Sequence, residues 1–137
     1  MRYNGVIQRK LALLDSTLQH LEASMAGVDL ESFKASWEKQ RMVERALQVC
    51  VEIMIDVAER IIAIENAGPV ATASEAIDSL VRLKVLKSAE PYMAMVRFRN
   101  FVVHQYEEIN PDLLHELVGD RLNDFRRFRD EIDSLDA

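Results

Sequence analysis

The stretch from Trp37 to Asn66 constrains the fold more than any other part of the chain. Between Ala46 and Ile64 its polar residues fall only at positions 48, 52, 56 and 59–60, a narrow stripe with the spacing of one helix face. Most of the circumference is apolar, and such a helix must be covered on several sides, by its own chain or by a second subunit. A membrane does not supply that cover, because Gln48, Glu52, Asp56, Glu59 and Arg60 break the run of about 18 uncharged residues that a span requires.

The neighbouring segments offer partners for this helix. Ile7, Leu11, Leu14, Leu18, Leu21 and Met25 form the apolar stripe of a first helix beginning at Gly5 and closed by Gly27. Ser32 and Ser36 are both candidate N-caps, so residues 30–36 form either a separate short turn or the first part of the long helix. Asn66-Ala67-Gly68-Pro69 ends the long helix, with glycine as the expected cap. Thr72 or Ser74 opens a shorter helix to about Leu86, and Ser88 with Pro91 opens another from about Ala89 to about Gln105. Asn110-Pro111 starts the last helix, apolar at Leu113, Leu114, Leu117, Val118, Leu122, Phe125, Phe128 and Ile132 and fraying near Ser134. No segment alternates like a strand, and no repeat occurs. The expectation is an all-α, antiparallel bundle of about five helices. A chain of 137 residues, 49% of them hydrophobic, suits a single domain over residues 1–137.

Charge and cysteine content narrow the function. A net charge of −6 argues against a protein that coats nucleic acid without specificity. Yet from Ser79 to Tyr106 the cations Arg82, Lys84, Lys87, Arg97 and Arg99 face Glu90 alone, which gives a phosphate-bearing ligand one place to bind. The single cysteine, Cys50, lies in an apolar run and cannot form an internal disulfide, and the N-terminus lacks the layout of a signal peptide. Both point to a reducing, cytoplasmic setting with no membrane attachment. Four widely spaced glycines provide no phosphate-binding loop, so no nucleotide cofactor is expected.

Residues 97–106 gather the groups able to do chemistry on such a ligand. On a helix, Asn100 and His104 are four apart on one stripe, and Arg99 and Tyr106 are seven apart on the next. Phe98, Phe101 and Val102 are expected to face the core. Arg99 carries a permanent charge, His104 can take or give a proton and Tyr106 has a phenol oxygen. Metal-free RNA cleavage needs a base for the 2′-hydroxyl, an acid for the leaving 5′-oxygen and a cation on the phosphate. One chain has one histidine in such a setting, since His20 and His115 lie on the first and last helices without a similarly spaced arginine. A symmetric dimer would supply two copies each of Arg99 and His104. On spacing alone, a hydrogen-bonded structural histidine near a helix end is the commoner case.

The string Arg99-Asn100-x-x-Val103-His104-x-Tyr106 resembles the Arg-Asn-x3-His-x-Tyr signature of HepT-like toxins in the HEPN superfamily. The flanks are similar too: a helix started near a proline, an Ile-Asn-Pro turn, then a leucine-rich C-terminal helix. The resemblance implies a dimeric, metal-independent endoribonuclease acting on RNA through a composite cleft. It also implies a cognate nucleotidyltransferase antitoxin of the MntA type. Arg99 and His104 would be catalytic, Asn100 would orient one of them, and Tyr106 would receive AMP from the antitoxin. Two departures stand out: Gln105 replaces a frequent glycine, and Arg97 precedes the motif as a possible phosphate contact or a solvated surface charge.

Other groups have plainer readings. Glu52, Asp56 and Glu59 share a stripe, but no Glu-x-x-His pair accompanies them, so no metal site is expected. Trp37 is expected to anchor the long helix against the first helix or a dimer partner. Arg121, Arg126, Arg127 and Arg129 alternate with acids, as in helix-surface ion pairs. Two rivals to the nuclease are a helical adaptor for a nucleotidyltransferase and a purely structural dimeric bundle. Expression of this chain alone separates them, because only a nuclease fragments RNA.

Overall fold

The computed structural model describes residues 5–104 and 109–134, and the described residues are all-helical outside their connecting turns. The helices are α1 (Gly5–Met25), α2 (Leu30–Lys34), α3 (Trp37–Ile64), α4 (Ala73–Arg82), α5 (Tyr92–His104), α6 (Pro111–Asp120) and α7 (Leu122–Ser134). The five expected segments are all present. The additional helices come from residues 30–34, which form a turn of their own, and from a break in the last segment at Arg121.

Helix α3 spans 28 residues, about 42 Å, and every other helix packs against it. Val43, Leu47, Cys50, Val51, Met54, Val57, Ala58 and Ile61 are buried along its length. The narrow polar stripe thus has its expected consequence: α3 is the axis and the other six are its cover. Burial pushes the Cys50 thiol up to about 12, which keeps it protonated and unreactive. No described helix is long and apolar enough to cross a membrane. Helix α1 buries Ile7, Leu11, Leu14, Leu18, Leu21 and Met25, the stripe expected from the sequence.

The helix ends follow local rules, with some changes of actor. Ser36 caps α3, accepting from the Lys39 N–H at 3.2 Å, and Asp29 caps α2, accepting from Ser32 N–H at 2.8 Å. At the other end of α3 the left-handed residue is Asn66 (φ 54°), where Gly68 was expected. The N–H groups of Asn66 and Ala67 donate to Ala63 and Ile62 carbonyls at 3.3 and 3.0 Å, the paired bonds of a helix-closing loop. Gly68 serves close approach instead, since a Cβ there would lie 3.0 Å from Ile62 Cγ2. Lys84 (φ 62°) closes α4 in the same way, so that helix stops short of Leu86.

Helix α5 begins at Tyr92, later than the Ser88 cap implied. Ser88 Oγ donates to its neighbour's carbonyl, Glu90 O, at 2.8 Å, and the Glu90 carboxylate accepts from Ala94 N–H at 3.2 Å. Tyr92 is fully buried, packed edge-on against Phe128 with ring centroids 5.5 Å apart, and its hydroxyl donates to Glu131 of α7. Burial and that neighbouring carboxylate push the phenol above its usual range. The start of α5 is therefore tied to α7, which fixes where the rest of α5 lies.

Helices α6 and α7 both pack on α1 and α3, and α6 also reaches α2. His115 of α6 bonds the Val28 carbonyl at 3.1 Å and packs on Phe33 of α2. Helix α7 buries Leu122, Phe125, Phe128 and Ile132 and runs beside α1. Its arginines reach farther than expected: Arg126 pairs with Glu22 and Arg129 with Asp15, both on α1, and Arg129 also pairs with Asp130 at 2.9 Å.

Gln40 is a rare buried polar side chain, and its Nε2 donates at 3.1 Å to the carbonyls of both Phe33 and Lys34 at the end of α2. Gln40→Leu leaves those two acceptors unpaired, and chemical denaturation should show a loss of about 1–3 kcal/mol. An unchanged midpoint would mean that water replaces the amide without cost.

Candidate functional site

Helix α5 turns its Tyr92, Met95 and Val96 side inward, with Phe98 and Val102 half-buried beside them. Phe101, expected in the core, is 49% exposed. It lies nine residues from Tyr92, half a turn out of phase with the buried stripe. Trp37 is likewise 60% exposed in the single chain, with the Arg41 guanidinium 5.9 Å from the ring centroid.

Arg99 falls near the inward stripe and is half-buried, while Asn100 and His104 lie farther round towards solvent. All three line one cleft of 430 Å³. Its opposite wall is the Val70–Ser74 entry to α4, and Glu59 of α3 completes the lining. The entry to α4 is held rigid: Thr72 Oγ1 accepts from Glu75 N–H at 3.1 Å, and the Glu75 carboxylate accepts from Ala71 N–H at 2.8 Å. The positive end of that helix opens onto the cleft and favours an anion there.

The electrostatics of Arg99 set it apart. Its Nε is shielded from solvent with no hydrogen-bond partner, and among the described residues no carboxylate lies within ion-pair distance of the guanidinium. Arg97, two positions earlier, has a partner in Glu90 at 3.0 Å and does not line the cleft. Of the five cations between Ser79 and Tyr106, Arg99 alone lines it. A charged fork with no carboxylate partner among the described residues, beside an amide and an imidazole, is suited to grip a phosphate while a proton moves next to it.

The three acids of the α3 stripe part company. Glu52 accepts from Gln48 at 3.0 Å, Asp56 pairs with Lys10 at 3.6 Å, and Glu59 faces the cleft. Among the described residues no three His, Cys, Asp or Glu side chains gather as a metal site. Glu59 is the cleft residue that sequence reasoning missed, because periodicity places it on a polar stripe without telling which neighbour that stripe meets. Tyr106 and Gln105 lie outside the described residues. A second, more apolar cleft of 520 Å³ between α3, α5, α6 and α7 contains Met95, Phe98 and Phe125 but no histidine.

A helical bundle that holds, in one cleft, an amide, an exposed histidine and an arginine with no carboxylate partner among the described residues is suited to handling a phosphate. Comparison with known proteins gives the family: the chain matches ribonuclease HepT-like proteins over residues 14–132 and belongs to that family. It is 26% identical over 131 residues to the tRNA nuclease HepT of Aphanizomenon flos-aquae, covering 94% of this chain and 88% of that one. With the mRNA nuclease HepT of Shewanella oneidensis it shares 28% identity over 131 residues, covering 94% and 97%. Its fold is similar to that of the tri-AMPylated Shewanella oneidensis HEPN toxin in complex with MNT antitoxin. The TM-score is 0.87 and the identity 26%, over 96% of this chain and 99% of that one.

Proposed function

We propose that this chain is a metal-independent endoribonuclease toxin that cleaves RNA at the Arg99–His104 cleft and is neutralised by a nucleotidyltransferase antitoxin. The observation that carries the reading is the half-buried Arg99 guanidinium, unpaired among the described residues, in one cleft with His104 and Asn100. A structural arginine would have a carboxylate partner, as Arg126 and Arg129 do. Family membership and the nuclease relatives support the same activity.

Arg99 holds the scissile phosphate, His104 transfers a proton, and Asn100 orients the phosphate or the imidazole. The protein works as a homodimer of single-domain protomers, and the exposed Phe101 and Val103 on α5 give a second copy apolar surface to cover beside the cleft. Arg97, held by Glu90, contacts RNA only if that exposed pair opens. Expression of this chain alone tests the reading: growth arrest with fragmented RNA is expected, and intact RNA would leave the adaptor.

Tyr106 is the switch. AMP added at Tyr106, two residues beyond His104 in sequence, brings a bulky anion that competes with the RNA phosphate for Arg99. Intact-mass measurement after incubation with the antitoxin and ATP should show added AMP on the wild-type chain and none on Tyr106→Phe. Labelling of the phenylalanine variant would place the modification elsewhere.

A further inference from the structure

Metal-free cleavage of RNA requires two proton-transfer groups, and each chain offers one imidazole at this cleft. The same cleft contains a second candidate within a single protomer. Glu59 lines it together with Arg99, Asn100 and His104. Its stripe companions are occupied, Glu52 by Gln48 and Asp56 by Lys10, whereas among the described residues Glu59 has no ion pair or hydrogen bond. It is solvent-exposed at the cleft, near the end of the most deeply packed helix, so its backbone is firmly placed while its carboxylate can still be reached. A carboxylate can accept a proton, which is what a base must do.

We propose that Glu59 is the general base and His104 the general acid of RNA cleavage, an assignment that rests on the ribonuclease reading above. Glu59 takes the proton of the ribose 2′-hydroxyl as that oxygen bonds to phosphorus. The P–O5′ bond breaks, its electron pair stays on the 5′-oxygen, and protonated His104 gives that oxygen its proton. The products are a 2′,3′-cyclic phosphate and a 5′-hydroxyl, and Arg99 neutralises the charge on the non-bridging oxygens in between. A carboxylate that must meet a 2′-hydroxyl also selects RNA over DNA. The base then belongs to the same protomer as the acid.

The test uses the full chain as wild type, Glu59→Gln and His104→Ala. Each is given an RNA oligonucleotide and the same RNA with sulfur in place of the scissile 5′-oxygen, whose thiolate leaves without protonation. Glu59→Gln is expected to cleave both about 100-fold more slowly or worse, while binding a non-cleavable 2′-O-methyl RNA as the wild type does. His104→Ala should be slow on ordinary RNA and recover on the sulfur-containing one. Cleavage of ordinary RNA by Glu59→Gln within a few-fold of wild type would overturn the assignment, as would recovery of Glu59→Gln on the sulfur substrate. Loss of 2′-O-methyl RNA binding in step with activity would overturn it too. A wild type that cleaves neither RNA removes the ribonuclease reading itself, an outcome distinct from an active Glu59→Gln.

Discussion

His104→Ala is expected to lower RNA cleavage about 100- to 10,000-fold, the usual range for a positioned proton-transfer group, and to abolish growth arrest, with no measurable loss of stability. The second half follows from placement. His104 is exposed, and neither a hydrogen bond nor a ring contact to another described residue depends on it. His115 makes the natural control: it bonds the Val28 carbonyl at 3.1 Å and packs on Phe33, so His115→Ala should cost about 1 kcal/mol while cleavage persists. His20, exposed on α1 and remote from the cleft, should matter to neither measurement. Thermal melts and cleavage assays on the three variants separate a working imidazole from a structural one. Cleavage retained in His104→Ala would end the assignment.

The sequence carried the fold further than it carried the site, for a physical reason. Helix α3 betrays its axial position because a wide apolar circumference can only be satisfied by neighbours on several sides, and α1 betrays its facing stripe by the same periodicity. Helix ends were legible in kind but not always in actor. Asn66 rather than Gly68 adopts the left-handed turn, and the Glu90 carboxylate rather than Ser88 caps α5. Several residues satisfy each such local rule, and tertiary packing chooses between them. Phe101 shows the limit of hydrophobicity as a guide, since its phase on α5 opposes the buried stripe. In the site, Arg99, Asn100 and His104 meet because they are close in sequence on one helix. Glu59 comes from 40 residues earlier, and the wall formed by Val70–Ser74 from a separate element. Those meet the motif only through the way α4 and α5 pack on α3, which no spacing within one helix encodes.

Arg99→Met should cut cleavage about 100- to 1,000-fold and leave the melting temperature unchanged or slightly raised. The combination is unusual for a half-buried arginine. Removing one member of an ion pair normally strands the other, and the stranded charge accounts for much of the destabilisation. Among the described residues Arg99 has no such partner, and its shielded Nε already lacks a hydrogen bond, so an apolar side chain of similar length removes a desolvated polar group without creating another. Arg129→Met is the opposite case. It deprives Asp15 and Asp130 of their cation, at a cost of no more than about 1 kcal/mol because all three side chains are partly exposed, and cleavage should not change. Arg99→Lys adds a finer distinction: the charge stays but the planar two-pronged grip is lost, so activity should fall between wild type and Arg99→Met, with RNA binding less affected than turnover. Differential scanning calorimetry beside cleavage rates measures all of this on one set of variants. If Arg99→Met loses stability and activity together, the arginine is part of the scaffold and the cleft is not built around a phosphate; if activity alone falls, the guanidinium is retained for the substrate.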